Sequence, residues 1–440
     1  MKKRFLLLLP LLLASCSNED ISVYNEPFEE YYAGYSSKEI EIPEGETLYI
    51  AGYHQAEEIQ GVLDKQKACA LTINNAIFIS IDSVGISNYF VKQIREKLNN
   101  YSTNVHVFST HDHAGIDTLG LWGGICVDGK NDKFMNNLID ASVNAAIESF
   151  QNKKKSKLYF GYNDTEDLQY DSREPIVFDS NVYQFRFEVE DGSGIRLINY
   201  AAHAESLRGT NYQVSADYVG RMRNLIKDKT NDDVIFIQGA IGGLIMTKEL
   251  VDPFDPVTNM ILTAERLTNY ILGISNEVLV TTKLIIARKQ FEAKLDNNVF
   301  MVYKALGIID NEVISGDGDT GYNLISELSV VVLGDILIYL IPGEIFPELV
   351  YGEVKEGDPK SLVSLANEYG YSKVLIFGLA NDELGYVVAP SNFRLYDKAP
   401  YILTEKDETG ENHYEETNST SPDMAFALYK NYEKLLKKIS

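Results

Sequence analysis

Thr110-His111-Asp112-His113 follows directly on the apolar run Val105-His106-Val107-Phe108. The run reads as a β-strand delivering two imidazoles to its exit, and a glycine-containing loop, Ala114 to Gly120, comes next. Strand exits followed by loops are where α/β proteins place chemistry. The chain has only 6 histidines, and two of them stand here one residue apart. Two such groups can bind a metal or act in catalysis. The alternative is a solvated loop histidine beside a hydrogen-bonded one.

Other segments repeat the pattern. Leu197-Ile198-Asn199-Tyr200 is an apolar strand ending in Ala201-Ala202-His203-Ala204-Glu205-Ser206, and Val214-Ser215-Ala216-Asp217 then caps a helix. In Leu340-Ile341-Pro342-Gly343-Glu344-Ile345-Phe346, apolar residues surround Glu344. A carboxylate buried there is costly unless paired or metal-bound; the alternative is a glutamate at a helix start, favoured by the macrodipole. Gly378 to Tyr386 and Asn412 to Glu416 carry Tyr386 and Tyr414 in loops, where a tyrosine can equally be a packing residue.

Taken in chain order, from about residue 40 to 435, these segments resemble the neutral ceramidase family, the N-acylsphingosine amidohydrolases. His111-Asp112-His113-Ala114-Gly115 is similar to the family's Thr-His-(Thr)-His-Ser-Gly signature, and Ala202 to Ser206 to its second histidine segment. Val214 to Asp217 matches the segment after it, Pro342-Gly343-Glu344 resembles its Pro-(Gly/Ala)-Glu segment, and Gly385-Tyr386 and His413-Tyr414-Glu415 resemble its tyrosine motifs. The resemblance implies a Zn²⁺ site made by His111, His203, Glu344 and Tyr386, with His113 beside the metal as a hydrogen-bonding or proton-transfer group. It also implies that Tyr414 stabilises an oxyanion and that Arg173 is the active-site arginine; the alternative for Arg173 is a surface residue paired with Glu174. Imidazole nitrogen and carboxylate oxygen suit Zn²⁺.

One segment departs from the family. Where its ceramidases carry Gly-Asp-(Val)-Ser-Pro, this chain has Gln238-Gly239-Ala240-Ile241-Gly242-Gly243-Leu244-Ile245-Met246-Thr247, with Gly243 at the aspartate position and Ile245 at the serine position. The expectation is a working metal site with a more apolar pocket wall and altered substrate choice. The resemblance stops short of the β-sandwich domain that follows in the family, so the expectation is a catalytic domain alone. The implied function is a zinc-dependent hydrolase of N-acyl amides, lipid-like or otherwise, of the kind that serves sphingolipid metabolism. Two alternatives remain: a zinc hydrolase of a cell-wall or glycan-derived amide or ester, and a catalytically inactive surface lipoprotein that binds a ligand.

Alternating elements must hold these groups. Strands are predicted at 76–82, 105–109, 182–189, 195–200, 234–238, 282–295, 328–333, 336–341 and 374–378, from apolar runs bounded by turn residues. Helices are predicted at 87–98, 132–152, 216–228, 257–274, 345–354 and 361–369, with a last helix capped by Ser421 and opened by Pro422. The pattern predicts one large α/β domain with mixed β-sheets flanked by helices, neutral-ceramidase-like.

The start of the chain reads as targeting. Met1-Lys2-Lys3-Arg4 is basic, Phe5 to Ala14 is apolar and broken by Pro10, and Leu13-Ala14-Ser15-Cys16 matches the bacterial lipobox. The expectation is a signal peptide over 1–15, a lipidated Cys16 with a flexible tether over 16–36, and a catalytic domain over 37–440. That places the protein in a bacterial cell envelope, periplasmic or surface-exposed, bound to membrane through the lipid. Cys69 and Cys126 remain, and spacing cannot say whether they pair. The net charge of −24 excludes nucleic acid, whose phosphates would be repelled. Cys16→Ala should therefore release the protein from membranes or block its maturation, since stable anchoring rests on the acyl chains of that one residue. Fractionation that still finds the variant wholly membrane-bound would count against the anchor.

Overall fold

The computed structural model describes residues 21–165, 167–251, 255–352, 355–395, 405–406, 410 and 412–440. The signal segment and Cys16 lie outside the described residues. Two sheets form the centre. The first is built from β1 (Tyr31–Glu39), β2 (Lys67–Ile73), β3 (Ala76–Ile81), β4 (Asn104–Ser109), β5 (Lys154–Asp164), β6 (Asn181–Val189), β7 (Gly194–Tyr200) and β8 (Asp233–Gln238), in the order β8-β7-β6-β5-β1-β2-β3-β4. The second runs β9 (Leu284–Leu295), β10 (Tyr322–Leu333), β11 (Ile336–Leu340), β12 (Lys373–Phe377), with Ser22–Tyr24 added beside β9. The pairs β3–β4, β7–β8 and β11–β12 are parallel, and the other pairs along both paths are antiparallel.

Both faces of each sheet are covered, which is why so many strands read as continuous apolar runs. In β3 the side chains alternate: Phe78 enters the layer between the sheets, while Ile77, Ile79 and Ile81 face the other way. The inner layer joins Phe108, Phe185, Leu197 and Ile235 to Ile286, Val331, Ile338 and Phe377. Outside the first sheet, α1 (Asn88–Leu98) and α2 (Asp132–Gln151) bury Val91, Ile94, Leu138 and Ile139. Farther along the same face, α3 (Asp217–Thr230) and α4 (Pro256–Leu272) bury Met222, Ile226 and Leu267 against Ile198 and Phe236. Outside the second sheet, α5 (Met424–Ile439) sets Leu428, Tyr432 and Leu435 on Val330, Leu337 and Tyr339. The result is a helix–sheet–sheet–helix sandwich, the single α/β domain with mixed sheets that the sequence pattern predicts. No described helix is long and apolar enough to cross a membrane.

Three corrections concern the edges of elements. Residues 16–36 are not all tether: Ser22–Tyr24 pairs with β9, and Tyr31, 2% exposed, begins β1. The strand is disguised by polar residues, and its Gly34 faces the end of α2, where a Cβ would lie 2.2 Å from the carbonyl oxygen of Ser149. Ser421 does not cap the last helix, which starts at Met424. Its hydroxyl donates to Asp296 at 2.6 Å and accepts the Asp423 amide at 3.0 Å, closing a turn instead. The helix predicted over 345–354 shrinks to Glu348–Tyr351, because Glu344–Ile345 pairs with Tyr386–Val387 as parallel strand. Cys69 is buried and Cys126 exposed, and both are free thiols.

One buried ion pair joins α3 to the exit of β3. Arg223 Nη2 and Nη1 donate to the Asp82 carboxylate at 2.5 and 3.0 Å, with neither side chain more than 7% exposed. Removing one partner of such a pair strands the other charge. Arg223→Ala should destabilise the fold by about 3–5 kcal/mol, read as a lower midpoint in denaturant; a midpoint equal to wild type would show that Asp82 does not need its partner.

Candidate metal and substrate site

The exits of β4, β7, β8 and β12 meet at one end of the sandwich. Gly378 donates to the carbonyl of Gln238 at 2.9 Å, and Phe108 forms a bridge to Ala380. The Gln238 side-chain amide then donates to the carbonyls of Thr110 and Ala202, at 2.9 and 2.7 Å. These two residues immediately precede His111 and His203. The segments are zipped together just beyond: Asp112 bridges Ala204 in parallel, and the amide of His113 donates to Ala204 at 3.0 Å. His111 sits at φ +58°, an uncommon left-handed position for a side-chain-bearing residue.

The rings are oriented by backbone. His111 Nδ1 lies 2.7 Å from the Val84 carbonyl, and His203 Nδ1 lies 2.8 Å from the Ile245 carbonyl. A carbonyl only accepts, so each Nδ1 carries a proton, and Nε2 is the atom each ring would offer a metal when neutral. Those Nε2 atoms lie 3.4 and 3.2 Å from Glu344 Oε2. His113 joins them, with ring centroids 4.6 Å from His111 and 5.5 Å from His203, and the metal-binding atoms of the three histidines lie within 4.8 Å of one another. Among the described residues, His111 Nε2 and both ring nitrogens of His113 are buried without a hydrogen-bond partner. Such orphaned lone pairs beside a buried carboxylate are the donor set that a metal ion would satisfy.

Burial holds His111 well below its ordinary pKa, with the neighbouring imidazoles adding to the effect, and pushes His113 down to about 4. Both are neutral at pH 7, the form that a metal ligand or a general base must have. At His203 burial opposes protonation, but the Glu344 hydrogen bond and the nearby carboxylates outweigh it and hold the ring above its usual range. Burial likewise raises Glu344.

The parallel pairing of Glu344 with Tyr386 places that tyrosine beside the carboxylate, and the rings of Tyr386 and Tyr414 pack edge to face at 6.3 Å. The structure thus gathers His111, His113, His203, Glu344, Tyr386 and Tyr414 at one place. Arg173 is near but is neither a surface residue nor bound to Glu174. It is buried, bonded through Nε to Glu415 and through Nη2 to the Asn412 carbonyl at 2.7 Å, and stacked behind Tyr414 at 5.8 Å. His413, Glu415 and Glu416 could by spacing hold a second ion. Their donors are already used: Arg173 and the Tyr414 amide engage Glu415, and His413 and the Arg394 amide engage Glu416.

Beside this cluster is a cavity of about 360 Å³. Its walls include His111, His113, Glu344, Tyr386 and Tyr414 on one side and Leu119, Leu121, Trp122, Phe300, Ile309 and Leu384 elsewhere. Ile245 is not among the lining residues, contrary to the expected apolar wall. Its side chain is buried with Ala201, Ile241 and Leu379, while its carbonyl holds His203.

The sequence also left residues unassigned. Tyr53 donates to Glu205 at 2.7 Å, and Glu205 lies 3.8 Å from His113. Glu205 stands in the quoted histidine segment, but nothing local linked it to Tyr53 some 150 residues earlier. Gln238 reads as the last residue of a strand and gives no hint of its bridging amide.

Comparison with known proteins agrees at the level of fold. The neutral ceramidase of Pseudomonas aeruginosa superposes with a TM-score of 0.69 at 16% identity, covering 93% of this chain and 74% of that one. A ceramidase solved in complex with C2 gives a TM-score of 0.68 at 15% identity, over 93% and 75% of the respective chains. No family model and no curated protein sequence matches the chain.

Gly52 supports His113 at close range. It has φ +106°, and a Cβ there would lie 2.6 Å from the imidazole. Gly52→Ala should turn His113 away and cost about 1–3 kcal/mol in stability. Crystallography or histidine NMR of the variant checks this, and an unmoved ring with wild-type stability would contradict it.

Proposed function

We propose that this chain is a lipid-anchored, zinc-dependent hydrolase of the amide bond in N-acylated, lipid-like molecules. The observation that carries the reading is the buried convergence of His111, His113, His203 and Glu344, with unpartnered imidazole nitrogens, against a largely apolar cavity. His111, His203 and Glu344 would hold the ion, with Tyr386 beside it. When bound, zinc lowers the pKa of a water to about 7 and polarises a carbonyl.

The protein's own groups account for the rest of the reaction. His113, neutral and with neither nitrogen hydrogen-bonded among the described residues, takes a proton from the attacking water and returns it to the leaving amine. Glu205, held by Tyr53, faces His113 and favours its protonated form during that transfer. The Tyr414 hydroxyl is positioned from behind by the Arg173–Glu415 pair and donates to the developing oxyanion. Leu119, Leu121, Trp122 and Phe300 suit an acyl chain better than a glycan. The ceramidase neighbours, one of them complexed with C2, support this substrate class.

Metal analysis and a panel of N-acyl sphingoid, N-acyl amino-acid and aryl amides test the reading together. One equivalent of zinc is expected, with turnover of at least one class. Chelation or His203→Ala should reduce that turnover to the background rate. Full activity in metal-free protein, or zinc-loaded protein inert toward the whole panel, would sink the proposal.

A further inference from the structure

The helix Asn298–Ala305 follows β9 and contains no buried residue, although from residue 299 to 306 its only charged side chain is Lys304. An ordinary surface helix turns one apolar stripe inward and a polar face outward. Here Val299, Phe300 and Tyr303 line the cavity, while Val302 and Leu306 remain about half exposed. A second apolar tip borders the same cavity. Leu121 and Trp122 line it, and the loop beyond them carries Ile125, 87% exposed, and Val127, about half exposed. The two segments are tied together. Lys130 Nζ donates to the Ile308 carbonyl at 2.6 Å, and Gly120 passes so close that a Cβ there would lie 3.1 Å from Ile308 Cγ2. Exposed apolar side chains clustered beside a cavity mark a surface that something covers.

The strand register points to what covers it. Ser22 pairs with Arg288, Arg288 with Ser329, and Ser329 with Leu340, the last residue of β11 before the segment that carries Glu344. Ser22 thus lies level with the exit of β11. Ser22–Tyr24 is antiparallel to β9, so it runs away from that end, and the chain enters it from the cavity side. Past this level β9 continues from Lys289 to Leu295, about 20 Å at roughly 3.4 Å per residue, and then leads into the helix. Cys16 precedes Ile21 by five residues, a link of at most about 18 Å. Acyl chains on Cys16 can therefore reach the end of the molecule that carries the helix, the loop and the cavity. The net charge of −24 leaves apolar contact, not attraction to anionic headgroups, to hold a surface there.

We infer that the helix Asn298–Ala305 with Leu306, together with the loop tip 125–127, forms a docking surface for the lipid bilayer that carries this chain's own anchor. The cavity between them then opens onto that bilayer and not onto free solution. This rests on the lipid anchor of the proposed function and adds an orientation to it. Tethering raises the local concentration of the surface, so a patch too small to hold the protein by itself docks once the acyl chains are inserted.

Cys126 lies in the loop tip and is exposed, while Cys69 is buried, so the full-length lipoprotein accepts a thiol-reactive, polarity-sensitive fluorophore at residue 126. The labelled protein is reconstituted into phosphatidylcholine vesicles, some of whose acyl chains are brominated, and floated on a gradient. The expected result is blue-shifted emission, protection from aqueous iodide and quenching by the brominated chains. A control label, introduced by Asp228→Cys with Cys126→Ser, sits on an exposed position near the end of α3, just before β8 begins and away from the strand exits. It should stay open to iodide. Leu306→Asp, on the other segment, should lower the docked-to-undocked ratio seen by the Cys126 label by about tenfold, the effect of withdrawing one half-exposed apolar side chain from lipid. Leu306→Trp should keep the label docked, which separates lost apolar contact from a damaged fold. Floated protein whose Cys126 label is as open to iodide as the control label would overturn the inference and leave the anchor standing. Protection without quenching by brominated chains would assign the surface to a second copy of the protein and overturn it too, as would undiminished docking in Leu306→Asp. Protein that does not float defeats the anchor, and the inference with it.

Discussion

The side-chain amide of Gln238 is the small interaction on which the site most depends. Its two donors reach the carbonyls of Thr110 and Ala202, which belong to strand exits separated by some 90 residues. That bridge and the Asp112–Ala204 pairing just beyond it keep His111 and His203 in register. The bridge is strong because it is dry: Gln238 is fully buried, and in a low-dielectric setting its two engaged donors fix geometry as well as contributing stability. Strand order does the coarse positioning, and one glutamine does the fine adjustment.

The same end of the sandwich concentrates ionisable groups in a way a merely structural core would not. Asp112, Glu344 and the histidines are almost wholly buried, and burial disfavours their charged forms. Elsewhere the fold neutralises buried charge locally, as Arg223 does for Asp82 and Arg173 for Glu415. Around His111 and His113 it does not. The contrast between these paired charges and the unpartnered imidazoles sets the candidate site apart, as the cavity beside it does.

The layered α/β character was legible because the interior strands are two-sided: Ala76 to Ile81 and Val234 to Ile237 announce themselves as almost wholly apolar runs. β1 was not legible, since Tyr32, Lys38 and Glu39 dilute its pattern and its fit depends on Gly34 meeting the end of α2. The histidines and Glu344 were legible as residues because each follows an apolar strand. Their grouping came only through the motif order, not through any spacing in the chain. What stayed hidden was what distance in sequence conceals: Tyr53 on Glu205, Glu415 on Arg173, and the parallel pairing of Glu344 with Tyr386.

His203 is held by the main chain of residue 245, and its carbonyl is something every amino acid possesses. The side chain at 245 is consequently free to drift toward whatever suits the apolar packing behind it, as isoleucine does, while the imidazole keeps its tautomer. The physical constraint on this segment lies instead in the path of the backbone: Leu244 at φ +53°, and Gly242 where a Cβ would lie 2.5 Å from the Glu344 carbonyl. The support that residue 245 gives the histidine is written in backbone geometry, so it does not depend on which side chain stands there.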